Sequence, residues 1–284
     1  MSLLQLFIIS IIQGLTEWLP ISSSGHVLLA AQYFELEGRD EYLINAMAHI
    51  GTLGAVLLYF WKDVGRAIRG GLRLPAAVLG SGSKFDSDQH LALLILASLP
   101  ITLVVIGIYE IAFPDIWKAN LRSVWVVAMT SITFGLALWW ADAKAPKERD
   151  LNDMSASEAL WIGATQAIAA LLPGTSRSGV TMTAARAFGF SRMESARFSM
   201  LIGAPLLAAI GLYALLQLAG SDANAGVATL NDGLIVMALS FVSGFASIWA
   251  LMALLKRMSF LPFVIYRVLL GVALIAAGPW LGLL

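Results

Sequence analysis

The sequence predicts an all-α polytopic membrane protein with six transmembrane helices and two re-entrant, broken helices, arranged as an inverted-topology repeat. Hydrophobic residues make up 59% of the 284 residues and charged residues only 13%, which is far from the composition of a soluble domain. Long apolar runs recur near the roughly 20 residues that a helix needs to cross the hydrocarbon core. The six predicted spans are about 42–61, 91–113, 121–141, 198–219, 233–254 and 261–283.

Two further apolar stretches, 3–34 and 158–190, are interrupted by proline and glycine beside clusters of hydroxyl residues. The interrupting residues are Pro20, Gly25, Pro173, Gly174 and Gly179. Irregular backbone at membrane depth is tolerated only where it is buried in protein or lines a wet cavity, because unpaired peptide groups cannot face lipid. We therefore predict that these two stretches form the functional site.

The distribution of charge predicts the orientation of the spans. Three connections rich in Lys and Arg, at 62–90, 142–157 and 255–260, are predicted to be cytoplasmic by the positive-inside rule. The acidic connections at 35–41 and 220–232 are predicted to lie outside. The chain has no cysteine, which excludes disulfides, thiolate metal sites and a cysteine nucleophile.

The two broken stretches are related by sequence. The segments "QGLTEWLPISS" and "QAIAALLPGTS" share the pattern Q-x6-P-x2-S, which pairs Gln13 with Gln166, Pro20 with Pro173 and Ser23 with Ser176. The spans that follow the two copies have opposite predicted directions. We therefore predict one membrane domain over 1–284, with repeat one at about 1–141, repeat two at about 155–284 and a binding site near the midplane.

The second copy reads "PGTSRSGVT" and places Arg177 in an apolar segment. An arginine there costs several kcal/mol, about 3 on insertion scales, unless it is paired or hydrated, which makes it a functional candidate. A guanidinium, hydroxyls and free N–H groups at a helix start suit a phosphate. The structural alternative is that Arg177 snorkels or locks onto Glu17. The polar and glycine neighbours are Gly174, Thr175, Ser176, Ser178, Gly179 and Thr181.

The first copy contributes Glu17, the only acid between Met1 and Phe34, together with a serine run and His26. Each has an ordinary structural interpretation: a neutralised carboxylate, helix-capping serines or a satisfied histidine. Together with Arg177 they supply the base, nucleophile, acid and anion clamp that phosphoryl transfer needs. The serines are Ser22, Ser23 and Ser24.

The segments "QGLTEWLPISSSGH" and "PGTSRSGVT" closely resemble the two signature motifs of the BacA-type undecaprenyl-diphosphate phosphatases, which are associated with bacitracin resistance. The resemblance covers essentially the full length. It implies hydrolysis of undecaprenyl diphosphate to undecaprenyl phosphate and inorganic phosphate, a phosphoric anhydride hydrolase reaction that recycles the lipid carrier of cell-wall synthesis. It also implies a multi-pass protein of the bacterial plasma (inner) membrane whose active site faces the periplasm.

Position by position, the resemblance assigns Glu17, Ser23, His26 and Arg177 to the active site. It also implies substrate contacts from a wider set, namely Ser22, Ser24, Gly174, Thr175, Ser176, Ser178 and Thr181. Family activity depends on a divalent cation, usually Mg2+ with Ca2+ as the alternative, for which Glu17 and Gln13 are the candidate ligands. Two departures are Gln13, where the family motif often has glutamate, and Asn45, where an acid is expected.

The sequence leaves two mechanisms open. In the first, which we slightly prefer, Ser23 attacks and gives a phosphoserine; in the second, a metal-bound water that Ser23 positions attacks.

A polyprenyl-phosphate flippase using the same repeat is the alternative function, and a structural scaffold ranks last. The expected partners are a polyprenyl diphosphate lipid and the bilayer, without nucleic acid. A homodimer is one alternative for the oligomeric state.

Overall fold

The fold is built of helices. The computed structural model describes residues 2–34, 38–79, 85–113, 121, 123–145, 148–220 and 228–278. Within these ranges the other regular elements are one 3₁₀ turn, Leu151–Asp153, and an isolated bridge between Arg149 and Phe190. The helices are α1 (Leu3–Trp18), α2 (Ser23–Tyr33), α3 (Gly38–Tyr59), α4 (Trp61–Leu79), α5 (Ser87–Ala97), α6 (Pro100–Ala112), α7 (Val124–Lys144), α8 (Ala156–Leu171), α9 (Arg177–Ala187), α10 (Arg192–Gly220), α11 (Leu230–Leu255) and α12 (Leu261–Ala277).

Five helical stretches of the described ranges are long and apolar enough to cross a membrane. They are Asp40–Tyr59, Ser87–Ala112, Val124–Lys144, Arg192–Ala219 and Leu230–Leu255. Each overlaps one of the first five predicted spans, so the chain is a multi-pass membrane protein. The sixth predicted span corresponds to α12, which is 17 residues long. The end of that prediction, 279–283, lies outside the described residues.

Both interrupted stretches divide into two helices at their prolines. The stretch 3–34 forms α1 and α2, and the stretch 158–190 contains most of α8 and all of α9. The residues before the prolines, Leu19 and Leu172, are extended, because the proline ring disfavours the helical conformation in the preceding residue. The two breaks therefore result directly from Pro20 and Pro173.

Helix packing brings the two breaks together in the interior. Helix α3 packs against α10 and α11, α1 packs against α11, and α9 packs against α7, α8 and α10. The break after α1 and the break before α9 thus lie within the same set of helices.

Helix α4 occupies most of the predicted cytoplasmic connection 62–90. Its charged residues recur at helical spacing, and exposed apolar side chains such as Ile68 and Leu72 lie between them. Such a pattern is typical of an amphipathic helix at a membrane interface. Arg66 pairs with Asp88 at 2.9 Å and joins α4 to α5. Lys84 lies outside the described residues.

Candidate active site

A buried ion pair joins the two broken stretches. Nη2 of Arg177, the first residue of α9, lies 2.9 Å from Oε1 of Glu17 in the last turn of α1. The two side chains are only 13% and 4% exposed. The structure therefore brings together the two charged residues that the sequence predicted to lie in one site.

Glu17 accepts further hydrogen bonds at its second oxygen. Ser23 Oγ donates to Oε2 at 2.7 Å, and Gln13 Nε2 donates to the same atom at 2.9 Å. Gln13 lies one helical turn before Glu17, so the helix itself places the amide beside the carboxylate. Four predicted site residues, Gln13, Glu17, Ser23 and Arg177, thus form one connected network. The catalytic and ligand roles assigned to them remain predictions.

The network also includes His49 of α3, which is not among the candidate residues selected from the sequence. Gln13 Nε2 lies 2.8 Å from His49 Nδ1. An amide nitrogen only donates, so Nδ1 accepts this bond. An ionisable residue inside an apolar span is itself a signal of function, and that signal could have identified His49.

Trp18 and Gly203 fix the position of the Arg177 guanidinium. The guanidinium lies 5.0 Å from the centre of the Trp18 ring, within cation–π range. A Cβ atom on Gly203 of α10 would lie 1.7 Å from Arg177 Nη1. Arg177 therefore occupies the space that a side chain at position 203 would fill. No pattern in the sequence indicates this role of Gly203.

His26 lies outside the Glu17 network. Its Nδ1 lies 2.7 Å from the Ser22 carbonyl, and its Nε2 lies 2.5 Å from the Tyr266 hydroxyl of α12. A carbonyl only accepts, so Nδ1 carries a proton and Nε2 of the neutral ring accepts from Tyr266. Both ring nitrogens are thus occupied away from Ser23.

The two breaks end in the same local conformation. Ser22 has φ 75° and Ser176 has φ 70°. Each hydroxyl accepts from the amide three residues later, Gly25 or Gly179. By conformation Ser22, rather than Ser23, corresponds to Ser176, one residue off the register that the sequence pattern suggested. Ser23 then corresponds to Arg177, and both donate to Glu17.

Three of the remaining predicted substrate contacts make side-chain hydrogen bonds within the protein, and Thr175 does not. Ser24 pairs with Ser22, and Ser178 pairs with Ser176 and donates to the Leu19 carbonyl across the two breaks. Thr181 Oγ1 donates back into its own helix and pairs with Ser199. Thr175 Oγ1 is buried without a hydrogen-bond partner among the described residues. Ser178 and Thr181 thus stabilise the local fold, whatever contact they make with a ligand.

A protein-made metal cage is not evident. Among the described residues, no group of three or more His, Asp or Glu side chains could hold an ion. Within the part of the chain that the structure describes, Glu17 is the one carboxylate of the network.

Comparison with known proteins shows to which family the chain belongs. A family described as bacitracin resistance protein BacA matches residues 6–273. The chain belongs to the BacA family. A relative from Hyphomonas neptunium named undecaprenyl-diphosphatase is 56% identical over 280 residues, which is 98% of each chain. Relatives with the same name from Maricaulis maris and Jannaschia sp. are 46% and 42% identical, over 97% of this chain and 98% of theirs. The BacA match spans α1 to α12 and includes every residue of the Glu17 network.

The second break is expected to require glycine at position 174. Gly174 has φ +84°, and a Cβ there would lie 2.2 Å from Thr130 Oγ1 and 2.7 Å from the Val127 carbonyl. We expect Gly174→Ala to lower the free energy of unfolding by about 1–3 kcal/mol through backbone strain, in addition to the clash. Thermal unfolding in detergent measures this. The control is Gly107→Ala in α6, where no atom lies within 4 Å of the added Cβ and the helix gains up to about 1 kcal/mol. Equal unfolding temperatures for both variants would contradict the strain assigned to position 174.

Proposed function

We propose that this chain hydrolyses undecaprenyl diphosphate to undecaprenyl phosphate and inorganic phosphate, recycling the lipid carrier of bacterial cell-wall synthesis. The carrying observation is that Glu17 accepts from both the Ser23 hydroxyl and the Arg177 guanidinium. Nη1 of Arg177 is buried and has no hydrogen-bond partner among the described residues. A hydroxyl, a carboxylate base and a guanidinium with a free edge are the groups that phosphoryl transfer uses. The names of the relatives agree with this activity.

In the mechanism we favour, Ser23 is the nucleophile and Glu17 the base. Ser23 Oγ bonds to the terminal phosphorus, and its proton passes to Glu17 Oε2, the atom it already contacts at 2.7 Å. The bond from that phosphorus to the bridging oxygen breaks, and its electron pair leaves with undecaprenyl phosphate. Water then attacks the phosphoserine, leaving one hydrogen on orthophosphate and one in solvent, while Glu17 returns the proton to Ser23.

Arg177 stabilises the charge that develops on the transferred phosphoryl group. Its Nη2 remains on Glu17 while Nη1 is available to a phosphate oxygen. The amides of Ser176 and Ser178 at the start of α9 add donors at the positive end of the helix dipole. We assign His26 a structural role, because its ring nitrogens contact the Ser22 carbonyl and the Tyr266 hydroxyl rather than Ser23.

We propose that a divalent cation, Mg2+ or alternatively Ca2+, takes part and is held by Glu17 with Gln13. Glu17 would then be a ligand rather than the base, so this role of Glu17 belongs to the second mechanism, in which water attacks directly and Ser23 positions it. A carboxylate offers about four acceptor positions, and Glu17 uses three of them. That leaves room for one ligand bond to an ion that takes its other ligands from water and the substrate phosphates. When bound, the ion supplies positive charge against the diphosphate.

We also propose that the chain is an inverted-topology repeat of the plasma (inner) membrane, with its two broken helices re-entrant and α12 as the sixth span. The matched conformations of Ser22 and Ser176 support the repeat. Basic residues on α4 and at the ends of α7 and α11 support a cytoplasmic position for those ends. The active site then opens to the periplasm, and the polyprenyl tail reaches it sideways from the bilayer. A homodimer remains one alternative.

The enzyme is favoured over its rivals by the chemistry of the site. Binding without cleavage does not require a hydroxyl held on a carboxylate, and the relatives' names give no support to a flippase. In a purely structural protein, the buried and unpaired Nη1 of Arg177 would have no function.

Phosphate release tests the proposed function directly. We expect purified wild-type protein to release phosphate from undecaprenyl diphosphate in a metal-dependent way. Glu17→Ala and Arg177→Ala should lower kcat/KM by about 100-fold or more, since they remove the base and the anion clamp. Arg73→Ala, in an exposed ion pair of α4, serves as the control with wild-type activity. A folded wild-type protein that binds the lipid and releases no phosphate would contradict the proposed hydrolysis.

Trapping distinguishes the two mechanisms. With substrate labelled in the terminal phosphate, rapid acid quench should leave label on the protein, because a phosphoserine is stable in acid while a non-covalent complex is not. Peptide mapping should place the label on Ser23. Absence of labelled protein during turnover would favour direct attack by water.

Gly203 is predicted to matter for activity through Arg177 alone. Gly203→Ala should displace the guanidinium and lower kcat/KM by about 100-fold, the loss typical of an ångström-scale misplacement. Gly211→Ala on the same helix is the matched control, because its Cβ would meet Ile50 at an ordinary 3.7 Å. Steady-state kinetics compares the two. Equal activity in both variants would show that Arg177 does not need its present position.

A further inference from the structure

Arg267 is a buried cation that the Glu17 network does not contain. It lies in α12 with 0% exposure. No ion pair found among the described residues involves Arg267. An arginine inside an apolar helix is costly to insert and marks a functional position by default. The rule that drew attention to Arg177 in the sequence could therefore have identified Arg267 as well.

The partners of Arg267 are backbone carbonyls, and they come from three places. Two belong to α7, one to the break after α1 and two to the break before α9. The hydrogen bonds are Nε to Ser131 at 3.1 Å, Nη1 to Pro20 at 3.3 Å, and Nη2 to Thr130, Gly174 and Thr175 at 3.2, 3.0 and 2.9 Å. One guanidinium thus holds both breaks against α7 and fixes the spacing between them.

The carbonyls that Arg267 binds determine where nearby amides point. In a trans peptide the C=O and the following N–H point in opposite directions. With the Thr175 carbonyl on Arg267, the Ser176 N–H is directed away from Arg267. The Ser176 N–H group therefore points to the side of the loop that is opposite the guanidinium. At Ser176 the chain turns through φ 70° and α9 begins with Arg177.

We propose that Arg267 is a positioning residue for the hydrolysis, and this inference rests on the proposed function. By drawing the Gly174 and Thr175 carbonyls to itself, it presents the Ser176 amide to the transferred phosphoryl group. Its bond to the Pro20 carbonyl sets the distance from this loop to Ser23. Arg267 does not touch the substrate and acts through the loop.

The test is Arg267→Lys in purified, folded protein. Lysine keeps the positive charge but cannot bind five carbonyls in one plane. We expect kcat to fall about 100-fold, the loss typical of one misplaced oxyanion donor. KM should stay within about threefold of wild type, because the ground-state contacts of Arg177 are retained. The inhibition constant of orthovanadate, which mimics the pentavalent phosphorus, should rise by a similar factor of about 100.

The matched control is Arg186→Lys in α9. Arg186 is also buried, pairs with Asp142 at 2.9 Å and binds the Phe190 carbonyl, but these contacts lie at the other end of the helix from the loop. It should lower the unfolding temperature and leave kcat per folded molecule and vanadate inhibition unchanged. This separates positioning from a general contribution to stability.

If Arg267→Lys does not fold, Gly135→Ala in α7 replaces it, because the three atoms nearest to its added Cβ all belong to Arg267, with Cβ at 3.2 Å and Nε at 3.6 Å, so that the added methyl displaces Arg267. The same loss of kcat and vanadate inhibition is expected. A kcat equal to wild type, or a rise in KM alone, would overturn the positioning role and leave the proposed function intact. A wild-type protein without phosphate release would overturn both.

Discussion

The architecture depends on one constraint, that Glu17 and Arg177 cannot be buried in an apolar interior without each other. Removing one partner of a buried pair leaves an uncompensated charge, at a cost of about 3–5 kcal/mol. The ends of α1 and α9 must therefore meet, although 160 residues separate them. Ser23 and Gln13 contact the same carboxylate, and His49 contacts Gln13. The stability of the fold and the proposed chemistry thus depend on the same atoms.

The breaks that deliver these charges also expose backbone groups that the bilayer cannot satisfy. The chain pairs them internally. Arg267 binds carbonyls of both breaks, Thr130 donates to the Pro173 carbonyl at 2.7 Å, and Ser178 donates to the Leu19 carbonyl at 2.9 Å. The carbonyl groups of both breaks are therefore paired within the protein. Fixing these carbonyls also fixes the direction of the N–H groups that follow them, and electrostatic stabilisation of phosphoryl transfer needs donors with fixed directions.

Sequence reasoning could predict the features that local rules determine. Prolines predicted the two breaks, and charges in apolar segments predicted that Glu17 and Arg177 lie in one site. The same rule applies to His49 and Arg267, but the sequence does not reveal where they lie relative to the site, because their partners are an amide and backbone carbonyls that leave no pattern in the sequence. Gly203 and the His26–Tyr266 contact depend on helices distant in the chain. The register of the serines was off by one residue, since the pattern after Pro20 and Pro173 does not reveal which serine adopts positive φ.

The central claim is that the two broken helices form one catalytic unit through Glu17 and Arg177. A double-mutant cycle on kcat/KM with Glu17→Gln, Arg177→Met and the double variant tests it most directly. If the residues act as a unit, the double variant should lose little more than the worse single variant, giving a coupling energy of at least about 2 kcal/mol. Losses that multiply, with no coupling, would show that the two residues act independently and would contradict a shared site.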